Sequence, residues 1–384
     1  MNKTAISIIL PVCVVVCMLI GACAAEDAPQ AQKPCVEGAK QMPEILKGVK
    51  RIVFYGDSLT DGSSYPDFVV NTLNGVYPDA DFLVINSGIA GNTAANLRER
   101  FIEDVLDRRP DLVTFTIGTN DCIQNRPVAD YKAELDGMVG ELLEKGVKVM
   151  IILPSHLGDA KREEAFQAYL AAMREVAAEH KLIVADAHAE FIKRAKAGKE
   201  MLGPDGIHHG KDGFEGMARA VLDAMGQAEV PVDIQVQPHP FVLYDWQVSQ
   251  PVAWDGQGTP PFAKATGWKP YDRKAASEKQ EWYDSPFVDR GGWMPNALEK
   301  VPAGNAVFGR LIYKADKAGK VEMQVGGTDP LKVWLNGELV WKGRARHGVH
   351  PNADRFPVNV RKGDNEILVY NKYIAFVGMR PLGE

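Results

Sequence analysis

Residues 51–66 read RIVFYGDSLTDGSSYP, an apolar run that stops at a small, polar, turn-forming block. Arg51–Tyr55 is apolar almost throughout, the signature of a strand covered on both faces rather than one. Outward from it, four further runs of the same kind occur at Phe82–Asn86, Leu112–Ile117, Val147–Leu153 and Leu182–Ala185. Between these runs apolar residues fall at helical spacing. Leu97, Phe101 and Val105 recur at i, i+4, i+8, and Phe166, Leu170 and Met173 at i, i+4, i+7. A last helix fits Phe214 to Met225. Repeated alternation of this sort predicts an α/β three-layer unit, a parallel sheet with helices on both sides.

The whole chain has 384 residues, which suggests about two or three domains. Hydrophobic residues make up 46% and charged residues 24%, enough apolar material for packed cores and far from a disordered composition. The net charge is -6, and no Lys/Arg cluster offsets it, so no nucleic-acid partner is expected. Around GQAEVPVDIQVQPHP, residues 226–240, the helical period disappears, and all seven Trp lie beyond it. Arg310–Tyr313 and Val321–Val325 read as short alternating strands. Asn336-Gly337, between Val333-Trp334-Leu335 and Leu339-Val340-Trp341, is a strong hairpin signal. Lys362–Asn365 marks another turn, before Ile367–Tyr370. The expected organisation is therefore an α/β domain over 46–228, a linker over 229–244 and an all-β sandwich over 245–384.

The N-terminus, MNKTAISIILPVCVVVCMLIGACAA, carries Lys3, an apolar run from Ala5 to Ala22, and small residues at Ala22-Cys23-Ala24. This pattern is that of a signal peptide over 1–23, followed by an Ala/Gln/Pro-rich tether over 24–45. Ile20-Gly21-Ala22-Cys23 is also similar to a bacterial lipobox, which would lipidate Cys23 and tether the protein to a membrane. Plain secretion and lipidation both fit, and either places the mature protein outside the cytoplasm. An uncleaved anchor is the third alternative. Of the Cys at 13, 17, 23, 35 and 122, Cys35 and Cys122 remain for the folded body, as a pair or as a buried free thiol at 122.

Four blocks lie where an open parallel sheet places its ligands, outside the carboxyl ends of the strands. Gly56-Asp57-Ser58-Leu59 follows the first run, Asn86-Ser87-Gly88-Ile89-Ala90-Gly91-Asn92 the second, and Gly118-Thr119-Asn120-Asp121 the third. Asp205-Gly206-Ile207-His208 precedes the last helix. In this order, over residues 50 to about 227, they resemble the SGNH hydrolases, or GDSL esterases. That resemblance implies a flavodoxin-like fold and no cofactor or metal. It makes Ser58 the nucleophile, His208 its base and Asp205 the partner that fixes the imidazole tautomer. The oxyanion hole would be the Ser58 and Gly91 N–H groups and the Asn120 amide.

Each residue also has a local reading. Ser58 would suit a helix cap, Gly91 and Asn120 a turn. Gly88 is read as a turn glycine, and Asp57 and Asp121 as local hydrogen-bonding groups. His209, where the family often has Pro, is an alternative base in a shifted register. A metal site of Asp205, His208 and His209 lacks further ligands at zinc-type spacing. His156 reads as an exposed loop residue. No GxSxG, GxxxxGK[ST] or strand-linked GxGxxG occurs, so neither an ordinary α/β-hydrolase nor ATP or NAD dependence is indicated.

Val325-Gly326-Gly327-Thr328-Asp329 and Lys332-Val333-Trp334-Leu335-Asn336-Gly337 are similar to a galactose-binding-like sandwich over about 285 to 380. That resemblance implies a carbohydrate partner, through exposed aromatics, whereas Trp334 and its neighbours also suit a core. The expected function is an exported serine esterase that removes short acyl groups, chiefly acetyl, from carbohydrate. A lysophospholipase or thioesterase is the alternative within the class. A carbohydrate-binding surface protein with a vestigial hydrolase half is the alternative outside it.

Overall fold

The computed structural model describes residues 41–61, 63–236, 239, 241–278, 288, 291–295, 300–327, 330–343, 351 and 353–382. The expectations for the signal peptide, for Cys23 and Cys35, and for Thr328-Asp329 concern residues outside these.

Five strands form the first sheet: β1 (Arg51–Gly56), β2 (Leu83–Gly88), β3 (Leu112–Thr116), β4 (Lys148–Leu153) and β5 (Ile183–Asp186). Their order is β2-β1-β3-β4-β5, and every pair is parallel. The chain reverses its direction of travel between β1 and β3, which is where such sheets open a crevice for ligand. Seven helices connect and flank the strands: α1 (Tyr65–Val76), α2 (Ala94–Asp104), α3 (Thr119–Ile123), α4 (Val128–Glu144), α5 (Ala160–Glu179), α6 (Ala187–Lys196) and α7 (Gly213–Ala224).

The near-continuous apolar runs are explained by the two cores. Side chains alternate across a strand. Val53, Tyr55, Val113 and Phe115 therefore enter one core with α2, α4 and α5. Ile52, Phe54, Leu112, Met150 and Ile152 enter the other with α1, α6 and α7. The central strands β1, β3 and β4 are hydrophobic at both parities because each parity is buried, whereas the edge strand β5 leaves Ile183 exposed.

Two glycines let the sheet's carboxyl edge close. A Cβ on Gly56 would sit 2.5 Å from the Thr116 carbonyl oxygen, and one on Gly88 would sit 2.3 Å from the Asp61 nitrogen. Gly88 is thus not a turn glycine. It is the last residue of β2, and it is small because the turn after β1 lies directly against it. Gly91 is the turn residue of that block, with φ of 79°.

Beyond residue 228 the chain first runs along α1. The Asp233 N–H donates to Thr72 Oγ1 at 2.8 Å, and Asn71 Nδ2 donates to the Gln235 carbonyl at 2.9 Å. Antiparallel strands then build a six-stranded and a three-stranded sheet. Leu331–Leu335 and Glu338–Lys342 are joined at Asn336-Gly337, with φ of 51° and 88°, the paired positive values of a tight hairpin turn. Trp246 and Trp293 stack inside the core shared by the two sheets. Trp334 is buried with Phe308 and Tyr370 on the other face of the larger sheet, and Trp254, Phe262 and Trp268 pack against that cluster. Residues 245–278, which have no clear period in sequence, supply this cover and the short strands Gln247–Val248 and Lys269–Pro270 on the larger sheet's edge.

Gly88→Ala should cost about 3 kcal/mol, at the upper end for overpacking, because the clash is with backbone rather than a movable side chain. The urea midpoint measures this. A loss below about 1 kcal/mol would show that the turn gives way freely.

Candidate active site

The turn after β1 presents Ser58. The Asp57 carbonyl accepts from the N–H groups of Thr60 and Asp61 at 3.0 and 2.9 Å. Asp57 Oδ1 accepts from the Leu59 N–H at 2.9 Å. Ser58 itself makes no helix cap. Its Oγ lies 2.9 Å from His208 Nε2, across the mouth of the sheet.

His208 is held from behind. Its Nδ1 lies 2.6 Å from Asp205 Oδ2, while Asp205 Oδ1 accepts the Ile207 and His208 N–H groups at 3.0 and 3.1 Å. An ionised carboxylate at Nδ1 places the proton on that nitrogen, which leaves Nε2 as an acceptor for the serine hydroxyl. The loop is itself anchored. Gly203 N–H donates to the His208 carbonyl at 2.8 Å, and Gly158 N–H to the Gly206 carbonyl at 2.7 Å. Gly206, at φ of 66°, provides the turn and its close approach to Gly158.

The third group is the Asn120 amide. Asn120 Nδ2 donates to the Asn92 carbonyl at 3.0 Å, which fixes the amide and leaves its second hydrogen available. The N–H groups of Ser58 and Gly91 donate to no other described residue. Gly91 is exposed and Ser58 half-buried. The structure joins three of the residues singled out in the sequence, Asp205, His208 and Ser58, in one hydrogen-bonded line, and sets Asn120 against the carbonyl of Asn92, next to Gly91 in the chain. Its chemical capability is that of a nucleophile with an aligned base and a set of uncommitted donors.

The neighbouring acids have structural work. Asp57 is wholly buried, and desolvation pushes its carboxyl up to about 7, with Asp121 adding to the shift. Asp121 accepts the Ala94 N–H at 3.1 Å, holding the start of α2, and burial raises it to about 6. Ionising Asp57 costs stability, so its contribution is full at low pH and lost as pH rises towards 7.

His209 does not share the site. It is 4% exposed and packs on the rings of Phe191 and Phe214, 5.3 and 5.4 Å away. Burial, then the nearby His208, lowers it to about 3. His156 differs from its expected exposed position: it is half-buried, against His188 and Phe191. Cys122 is a buried free thiol. Among the described residues no group of three His, Cys, Asp or Glu is placed to hold a metal.

Two contributors carry no sequence signal. Asp61 Oδ2 accepts the Ala90 N–H at 2.9 Å and ties the two loops together. Arg100, two helical turns beyond Gly91, bonds to Asn92. Both are ordinary polar residues in the sequence, and only the fold brings them to the site.

Residues 54–215, less than half of the chain, match the GDSL-like lipase/acylhydrolase family. An acetylxylan esterase from Geobacillus stearothermophilus is 27% identical over 206 residues, which is 46% of this chain and 94% of that protein. An arylesterase from Vibrio mimicus is 26% identical over 144 residues, 35% of this chain and 68% of its own length. A crystal structure of the Geobacillus acetylxylan esterase superposes with a TM-score of 0.42 at 27% identity, covering 46% of this chain and 94% of that one.

The contribution of His209 to folding stability should fall as pH drops from about 6.5 towards 3, because the unfolded chain protonates it and the folded one does not, and it runs against those of Asp57 and Asp121, which keep their protons in the folded chain over much of that range. His209→Leu should make the slope of stability against pH more negative by up to one proton, about 1.4 kcal/mol per pH unit. Urea unfolding between pH 4.5 and 7 measures it. An unchanged slope would mean that His209 takes its proton in the folded state.

Proposed function

We propose that this chain, a carboxylic ester hydrolase of the SGNH/GDSL type, removes short acyl groups, chiefly acetyl, from carbohydrate. The observation that carries the reading is the unbroken line from Asp205 through His208 to Ser58, with unused donors beside the nucleophile. His208 Nε2 takes the hydroxyl proton as Ser58 Oγ attacks the ester carbonyl. Asp205 stabilises the imidazolium and holds its orientation. The developing oxyanion is met by the Ser58 and Gly91 N–H groups and the free Asn120 hydrogen. The imidazolium then gives its proton to the departing alcohol, leaving an acyl-serine. Water attacks next, with its proton passing to Nε2 and then to the serine.

Several features support a small acyl group on a sugar. The likeness to the acetylxylan esterase extends over nearly all of that protein. No long apolar insertion interrupts the α/β half to cradle a fatty chain. We also read the chain as exported, on Lys3, the apolar run to Ala22 and the small residues about Cys23. Lipidation at Cys23 would make that export a tether.

The test compares the mature chain with Ser58→Ala on p-nitrophenyl acetate and octanoate. Acetate should be preferred, and Ser58→Ala should lose about four or more orders of magnitude in kcat without loss of fold. His208→Ala should be comparably severe and His209→Ala far milder. A preference for octanoate would favour a lipase-like function. A folded protein with no Ser58-dependent turnover on acetate, octanoate or acetylated xylan would overturn the esterase reading. Asn120→Ala should lower kcat about 100-fold with little change in KM, since it removes one oxyanion donor.

A further inference from the structure

Arg100 touches three of the segments that frame the site, yet takes no part in the proposed chemistry. It stands on α2 with its side chain 14% exposed. Its Nη2 donates to the Gly56 carbonyl at 3.0 Å, two residues before Ser58. Its Nη1 donates to the Ser87 carbonyl at 2.8 Å, at the end of β2. Its Nε donates to Asn92 Oδ1 at 2.7 Å, one residue after Gly91. Asn92 in turn receives Asn120 through its own carbonyl. The guanidinium is itself fixed, by Asp104 Oδ2 at 2.7 Å and by the Tyr55 ring, whose centroid lies 4.5 Å away.

These bonds converge on the oxyanion side of the site. The Ser58 N–H follows Gly56 and Asp57, the Gly91 N–H lies beside Asn92, and the Asn120 amide hangs on the Asn92 carbonyl. One planar fork thus sets the spacing of all three donors. Lysine could not replace it, because an ammonium is a point charge without the fixed directions that reach three acceptors on separate segments. We propose that Arg100 is a positioning residue for ester hydrolysis, holding the oxyanion donors in register with the nucleophile. This rests on the esterase reading above. A misplacement of about 1 Å at such donors costs about 100-fold in rate.

The experiment measures kcat, KM and the pH profile of the full chain, Arg100→Lys and Asp104→Asn on p-nitrophenyl acetate, with circular dichroism and melting to confirm folding. Arg100→Lys should lower kcat about 30- to 100-fold with KM within about twofold. The acid limb of its kcat/KM profile should stay in place, because Asp205, His208 and Ser58 are untouched. A general loss of structure would not leave that pattern. Asp104→Asn keeps the arginine and removes the charge that steadies it at 2.7 Å, a charge that Arg108 also faces at 3.9 Å, so kcat should fall about three- to tenfold. Should Arg100→Lys fail to fold, Asp104→Asn decides. Wild-type kcat in a folded Arg100→Lys, or in Asp104→Asn, would overturn the proposal. So would a loss carried by KM, or a displaced acid limb. Absence of Ser58-dependent turnover in the unmodified chain would instead overturn the esterase reading, and this inference with it.

Discussion

His208 reaches Ser58 across 150 positions of sequence, and the contact between them has to be met within a few tenths of an ångström. Neither residue can adjust much. Ser58 sits on a turn closed by Asp57, and His208 on a loop tied to Gly158, Met201 and Leu202. The meeting point is therefore set by the sheet, through the length of β1 and the position of the loop that leads into α7. A parallel sheet buried on both faces is stiff enough to do this, because its central strands are gripped by two cores. The close glycine approaches at Gly56 and Gly88 serve the same end: they let the nucleophile's turn lie flat on the strand ends.

The architecture was legible in the sequence because its signals are local. Five apolar runs at strand length fell within a residue or two of the observed strands, and Asn336-Gly337 announced its own hairpin. The five candidate residues could be named from the sequence because each lies in a short block at a strand end or in one loop. Arg100 was not legible. Its partners Gly56, Ser87 and Asn92 belong to different segments, and nothing in the spacing of a helical arginine tells which carbonyls it will meet. The alternative role of His209 and the turn reading of Gly88 fell for a related reason. A histidine beside a catalytic histidine reads as polar, but the chain turns it into the Phe191 and Phe214 rings. A glycine in a turn-rich block reads as a turn, but its cause is a neighbour's backbone.

The aromatic residues of the β region show the same limit from the other side. Seven tryptophans in one half suggest a surface for sugars, and alternation alone cannot tell such a surface from a core. The structure puts Trp246 and Trp293 between two sheets and Trp334 beneath a cover formed by residues that had no readable period. Their placement follows from the sheet having two faces to bury, one against the smaller sheet and one against the segment that contains Trp254, Phe262 and Trp268.

The β region also meets the hydrolase half next to the Arg100 network. Arg108 is 6% exposed and donates to the Ala353 carbonyl, while Arg355 Nη2 reaches the Asp107 carbonyl at 3.4 Å. Asp104 faces both arginines of its helix end, Arg100 at 2.7 Å and Arg108 at 3.9 Å. A guanidinium taken out of water needs its donors satisfied, and a backbone carbonyl from another part of the chain does so only while the two parts stay docked. The docking contact and the oxyanion frame therefore share one carboxylate.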